Sequence, residues 1–177
     1  SEFDRDLHTM HKELMGMGTS CERAIALAVS SITDSKPELK EEVQAAEEDI
    51  DRAERNIEAL CMRLLLRQQP VATDLRNISA ALKMISDLER VGDYAVDIAE
   101  LSPYLAKAQL SGKVHLSEMA LAAVDMVKQS VQAFVDGDIR LAARVKENDD
   151  RVDELFDRVK TEAVALIRDG ALDAHAA

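Results

Sequence analysis

Acidic residues recur at intervals of three and four positions in two segments of this 177-residue chain, one on each side of Pro70. In a helix of about 3.6 residues per turn, this spacing places the carboxylates along one side. They are Glu47, Asp51, Glu54 and Glu58 before the proline, and Glu89, Asp93 and Asp97 after it. Carboxylate oxygens so spaced on facing helices suit multivalent cations, and several carboxylates can bridge more than one ion.

The positions relative to Pro70 predict which acids meet. Asp51 precedes the proline by 19 residues and Glu89 follows it by 19, while Glu47 precedes it by 23 and Asp93 follows it by 23. If the two helices are regular and antiparallel, each pair lies at the same height. Like charges this close repel, and partial burial disfavours their ionisation. Bound cations, shared protons or basic side chains must therefore neutralise them.

A simpler interpretation treats these acids as the charged edge of a solvated helix bundle. Arg52, Arg55 and Arg90 are then their partners, and exposed ion pairs of that kind contribute little stability. The predicted acidic faces carry no His, which argues against a zinc-only site and against a di-iron oxygenase site. The metal stays open among iron, zinc, manganese and magnesium.

The elements that must position these acids are helices. Apolar residues follow steps of three and four from Phe3 to Ser31, from Leu39 to Leu64 and from Leu75 to Ala99. Such stripes are typical of amphipathic helices, and short connections favour antiparallel neighbours in an all-α bundle. Between the first two helices, Ser35 is predicted to cap the second helix and Glu38 to complete a capping box.

A second half repeats the first at an offset of 102 residues. The matched pairs include Leu14 with Leu116, Asp34 with Asp136, Glu47 with Asp149, Asp51 with Asp153 and Leu64 with Leu166. An ungapped offset with a shared turn and shared acids favours duplication of a three-helix bundle. We expect a first bundle over 1–108 and a second over 109–177 that lacks its last helix. An apolar face left open in this way should affect solubility or oligomerisation.

The amino-acid composition argues against nucleic acid and the membrane interior as binding partners. The net charge is −12, and aromatic residues make up only 3% of the chain, so a nucleic-acid binder is disfavoured. No apolar run is long enough for membrane insertion, and no signal peptide is visible.

Cys21 and Cys61 fall on apolar helix stripes, which predicts reduced core thiols and suits the cytoplasm. No Gly-rich phosphate loop or nucleophile elbow is present, so we expect no catalytic or cofactor-binding residues.

Two segments carry a family resemblance. The sequence Arg67–Arg76, RQQPVATDLR, followed by Asp87–Asp93, DLERVGD, resembles the PhoU family of phosphate transport regulators. The resemblance extends over essentially the whole chain and implies two related three-helix bundles. It also implies a cytoplasmic negative regulator of the phosphate-starvation response. The expected partners are the ATPase of the phosphate-specific ABC transporter, the sensor histidine kinase of the phosphate two-component system, and a second copy in a homodimer.

The resemblance also implies multinuclear metal clusters held by Glu/Asp-xxx-Asp motifs. The matching positions are Glu47 with Asp51, Glu89 with Asp93, and Asp149 with Asp153, while Asp97 extends the second motif. Glu47 stands where Asp is commoner in the family. The missing last helix deprives Asp149 and Asp153 of opposite ligands within this chain. Two other interpretations stay open: a metal-free helical adaptor, and a carboxylate-bridged metalloenzyme, against which the lack of Glu-x-x-His motifs weighs.

Overall fold

The computed structural model describes residues 2–110 and 112–172, and within these ranges every regular element is helical. The α-helices are α1 (Glu2–Thr33), α2 (Lys40–Gln68), α3 (Ala72–Glu100), α4 (Ser102–Leu105), α5 (Leu116–Asp136) and α6 (Ile139–Arg168). Single 3₁₀ turns at Pro37–Leu39 and Ala106–Ala108 complete the described elements. The all-α prediction is confirmed. None of the helices in the described ranges is long and apolar enough to cross a membrane.

The first three helices pack around one apolar core. The stripes predicted from the sequence supply it, with Met10, Leu14 and Met17 from α1, Val43, Ile50 and Ile57 from α2, and Ile78 and Ile85 from α3. Both cysteines are free and buried in this core, as predicted. The thiol of Cys21 donates to the carbonyl of Leu88 at 3.4 Å, which links α1 to α3.

The connection between α1 and α2 corrects one expectation. Ser35 lies in the left-handed region at φ 53°, and its hydroxyl donates to the carbonyl of Ala106 at 3.2 Å. No side chain caps the 3₁₀ turn that begins at Pro37, so the predicted capping box is wrong. A left-handed residue turns the chain sharply at the end of α1, and the Ser35 side chain is thereby directed to a neighbouring segment.

The turns that end α1 and α5 are duplicates of each other. In each turn, one backbone amide donates to the carbonyl three residues earlier and the next amide donates five residues back, which is the Schellman arrangement. The bonds are Ser35 to Ile32 and Lys36 to Ser31, then Gly137 to Phe134 and Asp138 to Ala133. Every member of the second set lies 102 residues after its counterpart, so the repeat read from the sequence recurs in the backbone.

The two halves share packing through α1 and α5. Gly18 of α1 has no side chain where Val131 of α5 enters, since a Cβ there would lie 3.0 Å from Val131 Cγ2. Val131 belongs to the same core as α1, α2 and α3. On α6, by contrast, only Leu155 is fully buried among the residues described. The division at 108/109 stays a prediction, and six of the residues assigned to the second unit, 111 and 173–177, lie outside the described ranges.

The segment between α3 and α5 holds α4 and a 3₁₀ turn. Leu105 and Leu110 from this segment enter a second apolar cluster with Ile32 at the end of α1. Beside it, Glu162 of α6 accepts from the backbone amide of His115 at 2.8 Å and contacts the His115 ring nitrogen Nδ1 at 2.5 Å. This carboxylate therefore holds the start of α5 against α6.

Candidate metal centre

The α2–α3 hairpin brings the two acidic segments face to face. Gln69 ends α2 in the left-handed region at φ 42°, and α3 begins three residues later, so the helices run antiparallel. Gly92 permits a close approach at the height of the acids. A Cβ on this residue would lie 3.0 Å from Ile50 Cδ1 and 3.6 Å from Glu47 Cγ. The absence of a side chain at this position lets the acidic edges of both helices converge.

Three carboxylates meet at this level. Asp51 and Glu54 of α2 and Glu89 of α3 each offer one oxygen, and these oxygens all lie within 4.8 Å of one another. All three side chains are partly buried. Glu47 and Asp93 adjoin them, and we call these five residues the acidic cluster. A set composed only of carboxylate oxygens fits a hard multivalent cation.

The carboxylates of the acidic cluster disfavour one another's ionisation. Burial, hydrogen bonding to Asp93 and the charges of Asp93, Glu54 and Asp51 raise the pKa of Glu89 to about 7. Burial, followed by the charge of Asp51 and a hydrogen bond to it, raises the pKa of Glu47. The pKa of Glu54 is raised in the same way, with burial first and Asp51 second. Each shift therefore reflects partial burial first and the negative charge of the neighbouring carboxylates second.

Two of the three arginines expected by the simpler interpretation pair with other carboxylates. Arg52 pairs with Asp49 at 3.0 Å, and Arg90 pairs with Asp87 at 3.6 Å. Arg55 is the one basic side chain among the described neighbours of Glu54 whose charge acts against the rise in its pKa. The positive charge that would neutralise the cluster is therefore largely missing.

The structure separates the sequence-predicted ligands into two groups. The equal spacing of Asp51 and Glu89 from Pro70 correctly predicts that their oxygens meet. Glu47 lies at the level of Asp93, whose charge contributes to the rise in the Glu47 pKa. The remaining predicted ligands, Asp97 on α3 and Asp149 and Asp153 on α6, are exposed and lie outside the convergent group found among the described residues.

Glu54 lies on the acidic line before Pro70 but outside the Glu/Asp-xxx-Asp motifs that predict the ligands. It follows Asp51 by three residues, so it lies one turn away on nearly the same helix face. That interval was the available signal. The spacing of four selects Glu47 instead, whereas in the structure the oxygens of Asp51, Glu54 and Glu89 are mutually within 4.8 Å.

Comparison with known proteins places this geometry in a family. The PhoU domain family matches residues 14–102 and 116–175. A phosphate-specific transport system accessory protein PhoU homolog from Deinococcus radiodurans is 33% identical over 166 residues, covering 93% of this chain and 78% of the relative. The homolog of the same name from Aquifex aeolicus is 35% identical over 164 residues, with 92% and 74% covered.

Solved structures agree in fold. PhoU from Pseudomonas aeruginosa matches with a TM-score of 0.87 at 30% identity, covering 98% of this chain and 85% of that one. The phosphate transport system regulatory protein PhoU from Streptococcus pneumoniae matches with a TM-score of 0.82 at 26% identity, covering 94% and 79%. The arrangement of helices described above is thus the arrangement of these proteins.

Proposed function

Because this chain belongs to the PhoU family, we propose that it is an accessory and regulatory protein of a phosphate-specific transport system. Its relatives bear that description over more than 90% of the present chain. We infer a role in protein contact rather than catalysis, because the relatives are described as accessory proteins of the transport system. The chain resembles its relatives in fold as well as in sequence.

In finer terms, the protein restrains phosphate uptake and represses the phosphate-starvation response when phosphate is plentiful. It acts in the cytoplasm through contacts with the transporter's ATPase and with the sensor histidine kinase of the phosphate two-component system, and it works as a homodimer. Support comes from the RQQPVATDLR and DLERVGD segments and from the relatives' names. An acidic protein of net charge −12 is suited to basic surfaces on such partners.

We further propose that the acidic cluster binds multivalent metal cations. Asp51, Glu54 and Glu89 are the innermost ligands, while Glu47 and Asp93 are positioned to bridge to a further ion. One observation carries the proposal: three carboxylate oxygens converge within 4.8 Å without a compensating arginine among the described pairs. A bound cation supplies positive charge there and cross-links α2 to α3. Iron, zinc, manganese and magnesium are the candidates.

The exposed acids are proposed as secondary ligands. Asp97 lies about one helical turn beyond Asp93 and would extend the cluster along α3. Asp149 and Asp153 on α6 would form half of a second site, with the opposing ligands supplied from outside the described residues. Their substitution should change metal stoichiometry less than substitution in the acidic cluster, because they belong to no convergent group of ligand atoms among the described residues.

Metal analysis of protein purified without a metal-affinity step tests this function. The double variant Glu89→Gln/Asp93→Asn should lose most of its bound metal while its far-UV circular dichroism is retained. The matched control is Glu118→Gln/Asp125→Asn on α5, which removes the same charge from an exposed face. Unchanged stoichiometry in the cluster variant would reject carboxylate ligation, and metal-free wild-type protein would favour a metal-free adaptor. Oxygen consumption with bound iron would favour a metalloenzyme.

A further inference from the structure

A stripe of apolar and aromatic side chains is exposed along the end of α3 and over α4. Tyr94 is 57% exposed, Tyr104 is 74% exposed, and Ile98 and Leu101 between them are 37% and 43% exposed. Tyr94, Ile98 and Leu101 are spaced by four and three residues, so they lie on one face of the helix. The backbone amide of Tyr104 donates to the carbonyl of Leu101, which carries the stripe onto the next turn.

The exposure of the Tyr94–Tyr104 stripe does not reflect a loosely held helix. The opposite side of the same segment is deeply buried, with Ala95 and Ala99 of α3 in the main core and Leu105 of α4 in the second apolar cluster. The segment is therefore anchored along one side, and the other side is presented rigidly to solvent. A rigid surface loses little conformational entropy when a partner binds.

The residue types in the stripe are those of an interface. The chain has only two tyrosines and no tryptophan, and both tyrosines lie in this one stripe. Their two side chains alone expose roughly 250 Å², taking on the order of 200 Å² for each aromatic side chain. Apolar patches of a few hundred Å² are about the largest that a soluble monomer exposes and are often functional, and tyrosine is enriched where binding energy concentrates.

The charge around the stripe selects the partner. Asp93 and Asp97 are exposed on its α2 side, and neither forms an ion pair among those found in the described chain. Glu100 at its end is paired with Lys40 at 3.5 Å, while Arg90 lies over the Tyr94 ring at 6.0 Å and pairs with Asp87. The open flank is therefore acidic beside an apolar centre.

We propose that the Tyr94–Tyr104 stripe is the docking surface for a basic amphipathic helix of a partner protein. Apolar residues of that helix cover the two tyrosines, and its Lys and Arg residues face Asp93 and Asp97. A second copy of this chain is a poor occupant in antiparallel two-fold pairing, because that pairing brings the same acidic flank against itself. This inference rests on the proposed role in protein contact, and because Asp93 and Asp97 are also proposed metal ligands, it is tested on metal-free protein in EDTA.

The absence of tryptophan provides a direct probe. Tyrosine emission from this protein arises only from Tyr94 and Tyr104, so quenching by acrylamide reports on this surface alone. A synthetic peptide of about 18 residues, built from Leu, Lys and Arg in an amphipathic helical pattern without aromatics, serves as the ligand. Binding should reduce the quenching constant about two-fold, whereas a Leu and Glu peptide of the same pattern should leave it unchanged.

The contribution of the two tyrosines to binding is measured from the fluorescence anisotropy of the labelled basic peptide. Tyr94→Ser/Tyr104→Ser should weaken binding by about ten-fold or more. The matched control is Leu121→Ser/Phe156→Ser, which removes two other exposed apolar side chains, on α5 and α6, and should stay within about two-fold of wild type. All four side chains are more than half exposed, so circular dichroism and thermal unfolding should confirm that both variants fold.

Two results would overturn this proposal. The first is equal affinity of the tyrosine variant and wild type, which would show that the basic peptide binds the acidic surface without using the stripe. The second is a wild-type dimer in sedimentation that becomes a monomer on Tyr94→Ser/Tyr104→Ser substitution, which would make a second copy the occupant. Both measurements are made on metal-free protein in EDTA, so failure here is distinguishable from failure of the metal proposal.

Discussion

Replacing Glu89 with Gln removes one negative charge from the acidic cluster while nearly preserving the size of the side chain. In metal-free protein at alkaline pH, we expect E89Q to be more stable to unfolding than wild type. The reason is that burial and the neighbouring charges of Asp93, Glu54 and Asp51 disfavour the ionised side chain in the folded state, where they raise its pKa to about 7. The unfolded chain is free of this penalty.

The magnitude follows from the pKa. A rise from 4.5 to about 7 corresponds to an upper limit of about 3.5 kcal/mol, at about 1.4 kcal/mol per pKa unit. Glu89 is only partly buried, and solvent screening reduces the expected gain to about 1 kcal/mol. For a chain of this length that is a rise in melting temperature of about 2–4 °C.

The sign fixes the pH dependence. Because the folded pKa of Glu89 is above the unfolded value, its contribution to stability is fully present below about pH 4.5 and is lost as the pH rises through about 7. E89Q and wild type should therefore have nearly equal stability at pH 5, and E89Q should gain its full advantage at pH 8. Added divalent metal should reverse the order at pH 8, since it stabilises the protein that binds it better.

Urea unfolding followed by far-UV circular dichroism in the presence of EDTA measures these differences. Glu118→Gln, an exposed acid on α5, is the control for a general effect of net charge and should change the unfolding free energy by less than about 0.5 kcal/mol. Our reasoning fails if E89Q is no more stable than wild type at pH 8 in EDTA, or if its advantage is the same at pH 5 and pH 8.

Three further predictions concern the scaffold. Ile57→Ala, at a fully buried position of α2, should lower the unfolding free energy by about 2–5 kcal/mol, whereas Leu66→Ala, at a position 77% exposed, should change it by less than about 0.5 kcal/mol; urea unfolding compares them. Burial acts to raise the pKa of Glu162, but its hydrogen bonds to the start of α5 outweigh burial and lower it. Wild type should therefore lose stability relative to Glu162→Gln as the pH falls below about 4.5, and an identical acid-unfolding curve for both proteins would contradict this. Burial raises the pKa of the Cys21 thiol to about 12 and that of Cys61 to about 11, so a thiol reagent such as DTNB should react with both only after unfolding, and rapid reaction of the native protein would count against their burial.

The parts of this protein that could be predicted from its sequence are those set by local periodicity. Apolar steps of three and four located the buried faces of α1, α2 and α3, because each residue's direction about its own helix axis depends only on its position along that helix. The repeat makes Gly137 the equivalent of Ser35, and both residues have left-handed backbone conformations at the end of a helix. Equal spacing from Pro70 brought Asp51 level with Glu89, since the rise per residue is constant in regular helices.

The tertiary structure decided which of these faces meet and how deeply. Periodicity gives no azimuth of one helix relative to another, so Glu54 joined the acidic cluster only once α2 and α3 had packed closely at Gly92. The Ser35 hydroxyl does not cap α2 as predicted, because it donates to the carbonyl of Ala106, 71 positions away. Asp149 and Asp153 share the spacing of Glu47 and Asp51, yet they are exposed on α6, because burial of a carboxylate depends on the neighbour that packs against it rather than on its own helix.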